Sequence, residues 1–310
     1  MAVPKTGKTF RRRLRWLTTI CLSLVTYVAS SGCQIVGDYQ SLHGHPCNAL
    51  PSSKPDQKKL ATLVLSKQSD GTCYWIDKTE VTVQQYSAFL AVQSGSVSWE
   101  DPSCAWKTTP SNPITETSDP CTVSTNAESE PFRSTKPIQC VDWCDARAFC
   151  KWAGKDLCSG VVSDGIVTPQ DLPDQWGGAC SANGLAYVNG SAPVYGACNV
   201  GLDAGQCVAI LHQYACVPTD VDSFPDCTGP CGTVDMIGNV AEWVLQCGYS
   251  VDGGPGGTSS LCQHRGGSFA GSLMNETCYA VASDARDTRS REIGLRCCAP
   301  LSQDEQRLVH

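Results

Sequence analysis

VDMIGNVAEWV, residues 234–244, interrupts an apolar run with Gly238-Asn239 and then sets Glu242 beside Trp243. A buried strand gains nothing from Gly-Asn, and Gly inside a helix costs about 1 kcal/mol, so the stretch asks for a loop. Within it Asp235, Gly238, Val240 and Glu242 follow one another at i, i+3, i+5 and i+7. That spacing lets a loop turn two carboxylates and two backbone carbonyls towards one point, and hard oxygen donors of this kind suit calcium. A turn with a solvated glutamate is the plainer alternative.

Outward from this loop, CYWID at 73–77 alternates like a strand, and Thr82 with Gln85 forms a capping box for a helix that places Val83, Tyr86, Phe89 and Leu90 on one face. PIQCVDWCDARAFCKWAGKDL, 137–157, supplies a strand and a second helix, with Asp142 as N-cap, Ala146, Phe149, Cys150 and Ala153 facing inward, and Gly154 as the stop. Residues 95 to 135 are a Ser/Thr/Pro-rich insertion expected to be loop. From 155 onward Gly, Pro, Asn and Cys dominate, so regular structure should be sparse and disulfides should supply rigidity.

With 310 residues, 41% of them hydrophobic, the chain can bury one substantial core or two small ones. Its net charge of −7 comes without a long acidic run, which excludes a nucleic-acid footprint and reads as solubility. The N-terminus differs from the rest: basic RRRLR at 11–15, apolar WLTTICLSLVTYVAS at 16–30, then SGC ending at Cys33. This has the three parts of a signal peptide over 1–32 and is too short for a comfortable membrane span. The small residues before Cys33 make it a candidate lipidated first residue, with ordinary cleavage nearby as the alternative. Either route predicts an exported protein, periplasmic, at the cell surface or secreted. Of 21 cysteines, all but Cys21 and Cys33 lie between Cys47 and Cys298, a density that after an export signal means disulfides. Structural zinc is the alternative, but Cys140-x3-Cys144 and Cys227-x3-Cys231 have no neighbouring histidine, and the chain has five in all. Residues 33–60 read as a flexible tether, 61–300 as one domain and 301–310 as a polar tail.

Taken in order, CYWIDKTEVTVQQYSAFL, PIQCVDWCDARAFCKWAGKDL, VDMIGNVAEWV, HRGGSF and ARDTRSREIGLRC resemble the landmarks of the formylglycine-generating enzyme family, the sulfatase-modifying factors. The resemblance implies an α+β fold related to C-type lectins, with little regular secondary structure and many disulfides. It implies structural calcium at Asp235, Gly238, Val240 and Glu242, and at a second set formed by Asn199, Val200, Asp222 and Phe224. It implies a disulfide between Cys150 and Cys297. Active relatives oxidise a peptide cysteine to formylglycine with oxygen and copper held by two cysteines, the first at the third residue after RGGS. Here that residue is Gly271, and only Cys278 stands near the second position. One thiolate cannot reproduce a two-thiolate copper(I) site. The expectation is a calcium-bound, non-catalytic module for a protein, peptide or glycan ligand, attached to a membrane if Cys33 is lipidated; the alternative is a formylglycine-generating-type oxidase that retains Cys278 as its catalytic cysteine. The family also pairs Cys180 with a cysteine where this chain has Ser283, which leaves Cys180 as a candidate partner for Cys278.

Overall fold

A computed structural model describes residues 47–68, 70–92, 99, 101–113, 121, 135–160, 175–181, 184–201, 209–210, 213–214, 217–247, 260–272 and 274–309. The chain divides into two units, Met1–Gly32 and Cys33–His310, and all described residues belong to the second. The signal sequence and Cys33 lie outside them.

The elements are β1 (Ser53–Pro55), β2 (Thr62–Lys67), β3 (Cys73–Asp77), α1 (Val83–Val92), α2 (Trp143–Trp152), β4 (Asp156–Leu157), α3 (Gln175–Cys180), β5 (Ala209–Ile210), β6 (Gln213–Tyr214), β7 (Ala241–Cys247), β8 (Leu261–Arg265), β9 (Val281–Ala285), β10 (Ile293–Leu295), β11 (Cys297–Pro300) and α4 (Gln303–Leu308). One sheet has the order β1-β2-β3-β11-β4, a second β10-β7-β8-β9, and β5 pairs with β6. In the second sheet β10 runs parallel to β7, and β8 and β9 are antiparallel. This is an α+β architecture in which short elements are joined by long irregular segments.

Both expected helices form where their caps place them. The Thr82 amide donates to Gln85 Oε1 (2.7 Å) ahead of α1, and Asp142 exchanges hydrogen bonds with Asp145 at the start of α2. Tyr86 and Phe89 of α1 then pack against Phe149 and Trp152 of α2, with ring centroids 5.6–5.9 Å apart between the helices. Two tryptophans fasten α2 to β7 reciprocally. Trp143 donates to the Val244 carbonyl (2.8 Å) and Trp243 to that of Val141 (3.0 Å).

Because successive strand residues face opposite sides, Cys297 and Cys298 of β11 enter two different hydrophobic clusters. Cys297 is bonded to Cys150 in α2, and Cys298 to Cys158 beyond β4. These bonds close sequence separations of 147 and 140 residues. In the chain-entropy description, loops of that size are worth about 4–5 kcal/mol each. Both faces of the sheet are therefore stapled through one strand.

Two segments differ from expectation. Residues 47–60, expected within the tether, belong to the domain: Cys47 is bonded to Cys73, β1 pairs with β2, and Asp56 is buried against Lys155 (3.2 Å). The polar tail is the helix α4, started by a Ser302/Glu305 capping box and docked through Glu305 on Lys54 (2.5 Å) and the Trp75 indole (3.2 Å). Polar composition concealed both, since their attachments come from residues remote in sequence.

Candidate functional site

The loop of residues 234–240 makes three left-handed turns, at Asp235 (φ 57°), Gly238 (φ 78°) and Asn239 (φ 56°), before β7 begins. Gly238 is needed twice over. Its φ favours glycine, and a Cβ there would collide with the Asn199 carbonyl and reach 2.5 Å from Val200 Cγ1. Asn239 is buried and fully engaged: its Nδ2 donates to Glu80 Oε2 (2.9 Å), and its Oδ1 accepts from the Thr219 amide (2.9 Å) and Asn199 Nδ2 (3.1 Å).

Glu242 faces a cation supplied by the chain itself. Arg296 Nε lies 2.9 and 3.0 Å from its two carboxylate oxygens and Nη2 lies 2.8 Å from Oε1, while the Trp176 indole donates to Oε2 (2.7 Å). The remaining Arg296 donors go to the carbonyls of Asp77, Lys78 and Val234 at 2.7–2.9 Å. Glu80, Glu242 and Arg296 are each no more than 1% exposed. Burial, and then the charges of Asp235 and Glu242, push Glu80 well above the usual carboxylate range, and burial pushes Asp235 up to about 6.

The structure brings most of the expected calcium donors to one neighbourhood. Asn199 and Val200 lie against Gly238, and Asp235 Oδ2 accepts from the Asp222 amide (2.7 Å). Two of the three carboxylates, those of Glu242 and Asp222, are however paired with cations of the chain itself. A calcium ion would have to displace Arg296 from Glu242 and Lys78 from Asp222, whose carboxylate lies 2.5 Å from the lysine nitrogen. The Phe224 carbonyl accepts from the Cys227 amide (2.9 Å), closing a turn. Among the described residues no group of three His, Cys, Asp or Glu side chains is placed to hold a metal ion. As arranged, these residues do not fit a calcium ion.

A second locus is built by the RGGS turn after β8. Gly266 (φ 90°) and Gly267 (φ 67°) reverse the chain, and a Cβ on Gly266 would lie 2.6 Å from the Met236 carbonyl. Ser268 is buried and donates to Glu292 Oε2 (2.8 Å). At Gly271 a Cβ would collide with the Glu276 carboxylate, which also lies across Gly267. The side-chain space at the first copper-cysteine position is thus filled by a carboxylate. Cys278 is bonded to Cys180, and its amide donates to the Ala186 carbonyl (2.8 Å). Two thiolates cannot converge here, so the residues present do not fit copper(I).

What remains is a cavity of about 380 Å³, lined among others by His264, Ser268, Asn275, Glu276, Asp284 and Glu292. His264 Nε2 and Asp284 Oδ2 are 2.8 Å apart on its wall, and burial holds the imidazole below its usual range. Glu276 is pushed up to about 7, first by burial and then by the like charge of Glu292. Glu276 lay outside every quoted landmark, and Glu292 and Arg296 lay within ARDTRSREIGLRC without being singled out; only the chain's return past the RGGS turn and β7 gives them a role.

A family model described as the sulfatase-modifying factor enzyme 1-like domain matches residues 61–301. The formylglycine-generating enzyme of Mus musculus is 29% identical over 191 residues, which are 54% of this chain and 45% of that enzyme, so the match spans under half of its length. Among solved structures, PvdO from Pseudomonas aeruginosa superimposes with a TM-score of 0.51 at 17% identity, over 81% of this chain and 99% of its own. Treponema denticola variable protein 1 gives 0.50 at 16% identity, over 81% and 100%. These two likenesses concern the fold. Together with the ordered sequence landmarks and the α+β scaffold around the RGGS turn, the domain match leads to one conclusion: the chain belongs to the sulfatase-modifying factor family, that of the formylglycine-generating enzyme.

Proposed function

We propose that this chain is a non-catalytic member of the family, an exported binding module whose cavity at the RGGS turn takes a cationic group of a protein, peptide or glycan ligand. The observation that carries the reading is the pairing of Cys278 with Cys180, together with the Glu276 carboxylate lying where a side chain of residue 271 would project. Copper(I) chemistry on a peptide cysteine needs two converging thiolates; this arrangement offers a carboxylate and a disulfide instead. Three acids, Glu276, Asp284 and Glu292, line one concave space beside Arg265, and that excess of negative charge favours an ammonium or guanidinium from outside. The many disulfides are typical of an exported protein, and lipidation of Cys33 would hold the domain at a membrane surface.

The test has two arms. Disulfide-intact protein is incubated with copper(I), oxygen, reductant and a peptide bearing a sulfatase-type cysteine motif, and no aldehyde product is expected. Calorimetric titration with lysine-bearing peptides and their acetylated counterparts should show binding that acetylation and Glu276→Gln both remove. Aldehyde over many turnovers, abolished by Cys278→Ser, would replace this reading with the oxidase.

A further inference from the structure

At the start of α2, remote in function from the cavity, lies a second group of buried charges. The side chains of Lys107, Asp142 and Asp145 are 8%, 2% and 0% exposed. Lys107 Nζ is in direct contact with Asp142 Oδ2, 2.8 Å from Asp145 Oδ2 and 3.0 Å from Ser111 Oγ. Asp142 Oδ1 accepts the Asp145 amide (2.9 Å). Asp145 is held in turn by the amides of Ser111 (3.0 Å, to Oδ1) and Asp142 (3.3 Å, to Oδ2). The rings of Trp99 and Trp106 stand 5.9 and 5.6 Å from the lysine nitrogen. The disulfide Cys104–Cys144 fastens the lysine's own segment to the helix.

The arrangement has the parts of an acyl condensation. A nucleophilic nitrogen touches a carboxyl group, a second carboxylate is within proton-transfer distance of that nitrogen, and a backbone N–H already binds the oxygen on which negative charge would develop. Burial excludes the water that would reverse the reaction. We propose that Lys107 and Asp142 become joined by an intramolecular amide bond, with Asp145 as the proton carrier.

The step balances without an added reagent. Asp145 takes one proton from the lysine ammonium, and the freed Nζ lone pair attacks Cγ of Asp142 in its protonated form. The carbonyl electron pair moves to Oδ1, where the Asp145 N–H receives it. Asp145 then hands its proton to the departing Oδ2 hydroxyl as the C–O bond breaks and water leaves, and the proton then lost from the amide nitrogen stays on Asp145. One ammonium, the Asp142 carboxylic acid and the Asp145 carboxylate become one amide, one water and a protonated Asp145; nothing is oxidised or reduced. Burial, and then the Asp145 charge, push Asp142 up to about 7, so its reactive acid form is populated at neutral pH. The bond would close a 35-residue separation beside Cys104–Cys144 and, unlike that disulfide, would persist under reduction.

The experiment is mass spectrometry of the exported full-length protein after denaturation, reduction and alkylation. The expected mass is lighter than the processed sequence by one water, with a tryptic branched peptide joining the Lys107 and Asp142 segments. Lys107→Arg, which keeps the charge but cannot condense, and Asp145→Asn, which keeps the shape but cannot carry the proton, should both show the full mass while retaining the wild-type circular dichroism. Full mass in the wild type, with Lys107 open to acetylation once unfolded, overturns the proposal. Branched peptide at wild-type yield in Asp145→Asn overturns the assigned proton route.

Discussion

The acids around Glu242 and those around Glu276 meet burial in opposite ways. Glu242 receives four hydrogen bonds from Arg296 and Trp176, and Glu80 is held by Asn239 and the Val240 amide. Glu276 is half-buried with the like charge of Glu292 nearby, and it lines a cavity. In the first region removing a partner is expensive, because it strands a buried charge. In the second, under the proposed function, a cation from solvent relieves the repulsion between Glu276 and Glu292. The first is completed at Glu242 by the chain's own arginine and indole; the second is where the proposed function places a ligand.

The largest expected effect comes from breaking the completed centre. Arg296→Met keeps much of the side-chain volume but leaves Glu242 with the Trp176 indole and strips donors from three carbonyls. A loss of about 3–5 kcal/mol is expected in guanidinium denaturation with the disulfides intact. A loss below about 1 kcal/mol would erase the distinction between the two regions.

The open region predicts a smaller, pH-dependent effect. The folded-state pKa of Glu276 lies above its ordinary value, so the acid contributes stability that is fully present below about 4.5 and is lost as pH rises through about 7. Glu276→Gln should flatten that decline, by a difference on the order of 1 kcal/mol after allowance for partial solvent screening. Parallel melting curves for both proteins across this window would show that Glu276 does not titrate as its surroundings dictate. The smallest effect expected is that of calcium removal. With Arg296 on Glu242 and Lys78 on Asp222, a chelator should leave the melting temperature unchanged. A reversible fall would mean that the ion takes the place of Arg296.

Much of the scaffold was legible because its signals are local. Thr82/Gln85, Asp142 and Gly154 each mark a helix end within a few residues, and Gly238 announced a backbone path that only glycine takes easily. The charged centres were not legible in the same way. Arg296 meets Glu242 across 54 residues and Glu80 meets Val240 across 160, and no periodicity records such distances. The oxygen-donor spacing of the 234–242 loop could not reveal that the guanidinium of Arg296, between β10 and β11, would meet the Glu242 carboxylate. Gly271 could be read as a missing thiolate; that Glu276 folds back over it required the turn to be seen.

Adjacent Cys297 and Cys298 also govern what happens when the backbone is cut. Any single cleavage between residues 151 and 296 falls inside the ring closed by Cys150–Cys297, and most such cuts also fall inside that closed by Cys158–Cys298. The two fragments remain one covalent particle with both sheets attached. A protease cutting once in this span would nick the protein without dismantling it, and the damage would show only after reduction.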